Sequence, residues 1–462
     1  MTVAVTHPPF SDQQRARTMA LSLLEAAFYA VMVGAGEGYF LADAVRLGAT
    51  AVELGLVTSL PLFVGGLGPL PALALAARSG RRKPLVVGCA AVQAAALAAL
   101  AVGDAVGWLN PTSLIVIACL HQACAQTGGT AWSSWIGAVV PAEARGRYFA
   151  RRSRRVQVGT MAALLGAGLV LQQLEPAAAG RAVGGAGGFG FVVAFGVAAL
   201  ARAVSAALLA ASPEPAPEGE ARAMPLRGLL RSPEASPARR VLAVGAALQL
   251  AVYLSSPYFG PYMLEELHMS YAAYTVGSLA VVATKVASLP SWGKVVDSYN
   301  PRSVFLLAAF LVSVIPLPWL WADGLLWVVV AQVLSGFAWG GHEIAQMALY
   351  LDITKGQMRQ QLFAAQSLLH GAAQLAATVI GGWMLGLAGR RFWVLFLIST
   401  VARLIVALLA PRWLAHVDLP GERRHVLLLR VMGLRPSGGL MHRPLAVDDL
   451  TPAPQPQPQK KP

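Results

Sequence analysis

Charge is scarce in this chain. Only 13% of its 462 residues are Asp, Glu, Lys or Arg, where ordinary soluble domains have about a quarter. Acids are scarcer than bases, 22 against 36, which leaves a net charge of +14. Cysteine is rarer still. Cys89, Cys119 and Cys124 all lie inside apolar runs, with no C-x-x-C spacing, which excludes a disulfide framework or a cysteine metal centre and reads them as small buried hydrophobes. No G-x-x-x-x-G-K-[ST] is present to cradle ATP phosphates, and no H-E-x-x-H to hold a catalytic zinc. ATP-driven pumping and metal catalysis are therefore disfavoured: no enzyme, no cofactor and no metal site is expected. The N-terminus "MTVAVTHPPFSDQQRART" lacks the basic start, short apolar core and small-residue cleavage site of a signal peptide.

What the chain has is apolar length. Hydrophobic residues make up 56% of it, gathered into runs of about 20, the length of a membrane-crossing helix. Twelve spans are expected, at 19–42, 52–77, 85–103, 112–139, 156–173, 188–211, 241–264, 272–292, 303–322, 325–350, 362–387 and 392–414. The segment 212–240, rich in Pro, Glu and Arg, reads as a solvated linker. The tail 415–462, ending "TPAPQPQPQKKP", reads as partly disordered. With residues 1–18 placed in the cytoplasm, that side holds 29 Lys and Arg, and the opposite loops hold Arg46, Arg181, Arg390 and Arg391 alone. Basic residues gather on the cytoplasmic side, so both termini are expected inside, in a bacterial inner membrane.

The stretch "RGRYFARRSRR" (Arg145–Arg155) carries six arginines with Tyr148 and Phe149 between them. In isolation it resembles a nucleic-acid contact. Between spans 4 and 5 of a membrane protein it reads instead as a topology signal that meets anionic lipid headgroups, with the two aromatics at the interface, and no nucleic acid is expected. The chain also repeats itself. Tyr39-Phe40 pairs with Tyr258-Phe259, Gly80 and Arg82 with Asn300 and Arg302, Ala131-Trp132 with Ala338-Trp339, and "RGRYFARRS" with "RQQLFAAQS". Four matches in order predict a duplication, six spans followed by six.

These features together resemble the major facilitator superfamily of transporters: twelve spans in two six-helix halves, a long middle linker and inside termini. The resemblance implies an all-α integral membrane fold of two pseudo-symmetric bundles, 19–211 and 241–414. It also implies a monomer that moves a small-molecule substrate by alternating access. The loop "ALAARSGRRKP" is similar to the family's G-x-x-x-D-[RK]-x-G-R-[RK], keeping Arg78, Gly80, Arg81 and Arg82 but placing Ala77 where the acid belongs. "WGKVVDSYNPR" keeps Gly293, Asp297 and Arg302. Ala138 stands where many members carry another acid. By resemblance these residues, with Arg145 and Arg359, form conformational latches, and more of that load falls on Asp297. Span 5 has no Gly-Pro pair, which counts against the drug–proton exchangers of the family.

Ionisable groups inside a membrane are costly and so mark function. In span 10, Trp339, His342, Glu343 and Gln346 fall within an arc of about 100°, with Val330, Phe337 and Ile344 opposite. Glu343 is the leading candidate for a proton or cation site, with Lys285 of span 8 as its possible partner. Glu25 and Glu37 of span 1 lie about 18 Å apart along the axis, too far to act as a pair. Glu37 is a candidate for substrate or proton contact, and Glu25 for that or for an inner-end residue wetted from the cytoplasm. Gln122 and Gln126 with Gly129 and Ser133 in span 4, and Gln366, His370 and Gln374 in span 11, form stripes. These suit either hydrogen bonding to a polar substrate or interhelix bonds, and His121 reads as structural. Trp132, Trp135 and Trp339 either wall a cavity or pack. Secondary transport, with H⁺ as coupling ion, is the function expected. A non-transporting receptor or assembly protein, and a mover of lipids or amphiphiles, are the alternatives.

Overall fold

The computed structural model describes residues 10–68, 82–141, 145–175, 188–215, 235–353 and 356–415. They form twelve successive helical rods: α1 (Asp12–Arg46), α2 (Ala51–Leu67), α3 (Lys83–Val106), α4 (Pro111–Val139), α5 (Arg145–Leu174), α6 (Phe189–Ala211), α7 (Ser236–Glu266), α8 (Tyr271–Ser298), α9 (Pro301–Trp321), α10 (Leu325–Ile353), α11 (Gly356–Leu387) and α12 (Phe392–Trp413). Among the described residues ten helices are long and apolar enough to cross a membrane, and Ala51–Leu67 is a shorter apolar helix. Each rod falls on one expected span. Several boundaries move outward: α1 begins at Asp12, inside the expected N-terminal segment, α5 at Arg145 and α11 at Gly356, inside expected loops, α7 at Ser236, inside the expected linker, and α8 runs on to Ser298.

The starts follow from local chemistry. Ser11 with Gln14, Thr50 with Glu53 and Asn110 with Ser113 each form a capping box, which supplies acceptors to otherwise unpaired first-turn N–H groups. α3 has no side-chain cap of its own. Glu214, just past α6, serves instead: its Oε1 accepts from the N–H of Arg82 at 2.6 Å and of Lys83 at 3.0 Å. The carboxylate also suits the positive end of the helix dipole.

Three rods are broken, and the breaks matter. α1 interrupts at Gly36, with a 3-10 turn over Glu37–Tyr39. α7 interrupts at the matching place, with a 3-10 turn over Ser256–Tyr258. α9 leaves α-helix near Ile315 and tightens to a 3-10 turn over Leu317–Trp321. Pro316 accounts for the last break: it has no N–H to offer the carbonyl of Val312, four residues earlier.

Packing repeats between the halves. α1 packs on α5 and α6, α2 on α4, and α3 on α4 and α6. In the second half α7 packs on α11 and α12, α8 on α10, and α9 on α10 and α12. The duplication read from scattered residue matches is thus present helix by helix. The halves meet along two seams, α2 against α11 and α5 against α8. At the end away from the termini one buried hydrophobic cluster joins them, running from Met32, Tyr39 and Phe195 to Tyr258, Tyr274, Trp319 and Phe396. Toward the terminus-bearing end the clusters are separate: Val86, Trp135 and Leu209 in the first half, Val241, Trp292, Phe305 and Tyr350 in the second. Among the described residues the bundle is therefore closed at one end by shared core, while at the end that bears the termini the cores of the two halves are separate.

The two interrupted rods place a tyrosine at each seam. The Tyr39 hydroxyl contacts the Leu164 carbonyl of α5 at 2.7 Å and, across the seam, Thr275 Oγ1 of α8 at 2.7 Å. The Tyr258 hydroxyl donates to the Thr378 carbonyl of α11 at 2.7 Å. Across its seam it faces Gly55 of α2, where an added Cβ would stand 2.5 Å from the hydroxyl oxygen.

Candidate functional site

Glu37 stands at the break in α1, about a quarter exposed, with Oε1 3.7 Å from Nδ1 of His121. His121, on α4, is 1% exposed. Its Nδ1 has no hydrogen-bond partner among the described residues. Its ring meets Phe40 edge-on at 5.8 Å, and its Nε2 lies 3.4 Å from the Gln93 amide of α3. His121 was read as structural; the structure brings it to Glu37.

From Gln93 the polar chain continues inward. Gln93 Oε1 accepts from Nε and Nη2 of Arg202 on α6, at 3.0 and 2.5 Å. Arg202 donates to Ser205 Oγ at 2.7 Å, and Ser205 donates to Glu25 Oε1 at 2.8 Å. Glu25 Oε2 then accepts from Arg152 of α5 at 2.8 Å, and Arg152 stacks over the Trp132 ring at 3.9 Å. Glu25 is 3% exposed and 3.6 Å from Arg202 as well. An unpaired charge buried in this way would be costly, and two guanidiniums answer it.

Three readings are corrected here. Glu25 is neither a cavity group nor wetted from the cytoplasm; it is the buried anion of an interhelical network. Arg152 does not serve only topology and lipid, because it reaches back into the bundle, and Arg155 donates to the Leu23 carbonyl at 3.2 Å. Tyr148 does not sit at the interface: it is buried against Ile136 and Val140. Arg151 and Arg154 remain exposed, as a headgroup role requires.

In the second half the expected pair is formed. Lys285 Nζ lies 3.0 Å from Glu343 Oε1, with the two side chains 35% and 51% exposed. α8 and α10 can carry it because they approach closely over glycines. A Cβ on Gly336 would meet the Val281 carbonyl at 2.3 Å, and one on Gly341 would meet the Trp292 ring at 2.5 Å. His342 takes no part in this pair. It is buried between Phe305 and Trp339, with ring centroids 5.0 and 5.4 Å away, and neither ring nitrogen has a hydrogen-bond partner among the described residues. One residue along a helix turns a side chain by about 100°, enough to move it from the open face to the core. Gln346 is likewise buried and donates to the Tyr350 hydroxyl at 3.2 Å. His370 and Gln346 converge on Gly245 of α7, where an added Cβ would stand 2.7 and 3.3 Å from their Nε2 atoms.

The glutamine stripes serve packing in part. Gln122 and Gln126 cover Gly65 of α2, and Gln374 donates to Gln249 of α7 at 3.1 Å. Trp135 is fully buried, while Trp132 and Trp339 are partly buried. Of the expected latch residues, Arg78, Gly80 and Arg81 lie outside the described residues, as do the side chains of Arg145, Asp297 and Arg359. Gly293 faces open space. Arg302 donates to the Pro411 and Ala415 carbonyls at 3.4 Å, so it caps the C-terminal end of α12.

Sequence reasoning passed over how the second buried arginine is held. Arg403 of α12 is 1% exposed. It donates to the carbonyls of Val312 and Val252 at 3.1 and 3.0 Å, to Ser255 Oγ at 2.9 Å and to Ser399 Oγ at 3.0 Å. Both carbonyls sit at the breaks of α9 and α7. The signal was present in the sequence as Pro316, which frees an acceptor inside a span.

Residues 241–431 match the family model of the Major Facilitator Superfamily. No curated protein matches the chain. Among solved structures, a mutant of the nucleoside transporter NupG superposes with a TM-score of 0.68 at 11% identity, covering 87% of this chain and 99% of that one. A bacterial homologue of the human lysosomal transporter Spinster, inward-facing and unoccupied, gives 0.64 at 15% identity, covering 89% and 100%. A POT family transporter in complex with 5-aminolevulinic acid gives 0.65 at 12% identity, covering 87% and 96%.

Proposed function

We propose that this chain is a membrane transporter of the Major Facilitator Superfamily, and more closely a proton-coupled secondary transporter of a small solute; the family match over 241–431 and the shared fold of solved transporters support the reading. In this reading residues 19–211 and 241–414 act as two bundles that rock about the space between them, as a monomer in a bacterial inner membrane with both termini in the cytoplasm. The closed end then faces away from the cytoplasm, and the state described is inward-facing.

The observation that carries the proton reading is Glu37 beside His121. A carboxyl at a helix break, partly exposed, with a buried imidazole nitrogen 3.7 Å away that has no other partner among the described residues, can gain or lose a proton where substrate passes. The chain through Gln93, Arg202 and Glu25 ties that event to the terminus-bearing end of the same bundle. Glu343 already has Lys285 as its partner, which makes Glu37 the better proton site. In proteoliposomes, Glu37→Gln is expected to abolish substrate-driven proton movement while leaving substrate exchange intact. Unchanged proton movement in Glu37→Gln would sink this assignment.

A second reading, a mover of amphiphiles, is favoured by one observation. Only 17% of the apolar windows of α5 and α8 is buried, against 39–67% in the other candidate spans. Their seam offers lateral access from the bilayer. Competition of transport by a lysophospholipid, absent with a soluble headgroup analogue, would establish this reading over the first.

A further inference from the structure

We propose that Lys285 and Glu343 are the two poles of a substrate site that takes compact zwitterions, solutes with an ammonium and a carboxylate a few ångströms apart. This deepens the transport reading and rests on it.

Position comes first. Glu343 and Met347 are exposed on α10, at 51% for the Glu343 side chain and 47% for Met347. Leu334, nine residues earlier and about 180° around the helix, is exposed as well. One of these faces meets lipid and the other does not. A carboxylate turned to hydrocarbon is costly, so the Glu343 face borders the space between the halves. Lys285 reaches that face across Gly340, whose added Cβ would lie 3.6 Å from the lysine Cγ.

The pair is not needed to hold the helices together. Gly336, Gly340 and Gly341 already let α8 and α10 pack closely, and an ion pair this exposed adds little stability. Nor is it part of the duplicated framework. By the matches at Gly80–Asn300 and Trp132–Trp339, the first-half counterparts are Gly65 and Ile136. Other ion pairs in the interior differ: Glu25 with Arg152 and Arg202 is buried. Among the described residues, the Lys285–Glu343 pair alone combines opposite charges, exposure on both sides and a place near mid-span.

Charge balance then selects the ligand class. An anion that takes Lys285 leaves Glu343 without its partner, and a cation that takes Glu343 strands Lys285. The pair is worth little while water reaches it, but a bound ligand displaces that water, and a charge then left without a partner is costly. A dipolar solute exchanges one pair for two, its carboxylate on Lys285 and its ammonium on Glu343, and strands neither. Trp339 lies one turn from Glu343, about 40° around the helix, and Met347 one turn on the other side. They offer an apolar wall for a side group.

The test uses the purified full-length protein with L-leucine and L-leucyl-L-leucine as probes, each with its methyl ester and its N-acetyl form, read by binding and thermal shift. The dipolar forms are expected to bind at least 10-fold more tightly than either blocked form. Lys285→Gln and Glu343→Gln should each lose at least 10-fold for the dipolar probes. Glu343→Gln should now favour the N-acetyl anion, and Lys285→Gln the methyl ester cation. The exchanged pair, Lys285→Glu with Glu343→Lys, should recover binding, which also guards against a folding failure of the single variants. No binding of either dipolar probe, equal binding of the blocked forms, or single variants that bind as before would overturn the proposal. Transport of the same probes separates it from the reading beneath it. Binding without transport in proteoliposomes defeats the transport reading and leaves the site; transport indifferent to both residues defeats the site and leaves transport.

Discussion

Each half of the chain buries one arginine in its sixth helix, and each satisfies it differently. Arg202 of α6 finds side chains: Gln93, Ser205 and the carboxylate of Glu25. Arg403 of α12 has two backbone carbonyls and two serine hydroxyls. In the first half the cation is balanced by an anion. In the second it is balanced by dipoles, the carbonyl ends of two interrupted helices, which favour positive charge. Duplication kept the place of the arginine and changed what it holds. The first-half network runs outward to Glu37 and carries titratable groups. The second-half one carries none besides Arg403 and fixes two helix breaks.

The largest effect expected from breaking this comparison is at Arg403. Arg403→Met leaves the Val252 and Val312 carbonyls buried without that donor. Both carbonyls keep a backbone donor, Ser255 N–H at 3.2 Å and Ile315 N–H at 3.4 Å. Each lost hydrogen bond to the charged guanidinium still costs about 1.5–3 kcal/mol, so the variant should lose several kcal/mol and show a lowered melting temperature or no monodisperse protein. Adding Pro316→Ala, which returns an N–H to Val312, should recover about 1 kcal/mol of this. No recovery would mean that the carbonyl is not what Arg403 serves.

A smaller loss is expected at Arg202. Glu25 keeps Arg152 there, so Arg202→Met should cost about 2–3 kcal/mol, less than the full cost of a stranded buried charge. Adding Glu25→Gln should cost less than the sum of the two single variants by about 1 kcal/mol or more, the sign of direct coupling. Strict additivity in thermal or denaturant unfolding would show that the two residues do not share their charge.

The smallest effect concerns the seams. Tyr39 bonds across its seam to Thr275, whereas Tyr258 bonds only within its own half. Tyr39→Phe should therefore weaken closure of the shared-core end by about 0.5–1.5 kcal/mol, a 2- to 10-fold shift in population. Tyr258→Phe should leave it in place. Spin-label distances between the outer ends of α1 and α8 measure both, and equal shifts would erase the distinction.

Much of the fold was legible because apolar runs of membrane length have few other uses. The repeat was legible at Tyr39 and Tyr258 because both tyrosines, at matching breaks, bond to a backbone carbonyl of the fifth helix of their own half. The Lys285–Glu343 pair could be named because two opposite charges in one half of a membrane protein have few places to go. The first-half network was not legible. Arg152 sits in a run of six arginines whose collective reading, charge toward the cytoplasm, hides the one that turns inward. His342 and Glu343 are adjacent in sequence, and an arc of about 100° is too coarse to tell a core imidazole from an exposed carboxylate. Glu25 and Arg202 each posed the question that would have found them, since a charge inside a span requires a partner.

The Arg403 arrangement also sets an order of assembly. On insertion scales an arginine at the centre of a span costs about 2.5–3.5 kcal/mol, and α12 follows the other described helices in the chain. The groups that offset this cost belong to α7, α9 and α12 itself, and α7 and α9 enter the membrane earlier. The final helix is thus accepted by a half-built bundle that is waiting for it. A chain stopped before Phe392 leaves the Val252 and Val312 carbonyls with their backbone donors alone, without the charged donor that ties the two breaks together.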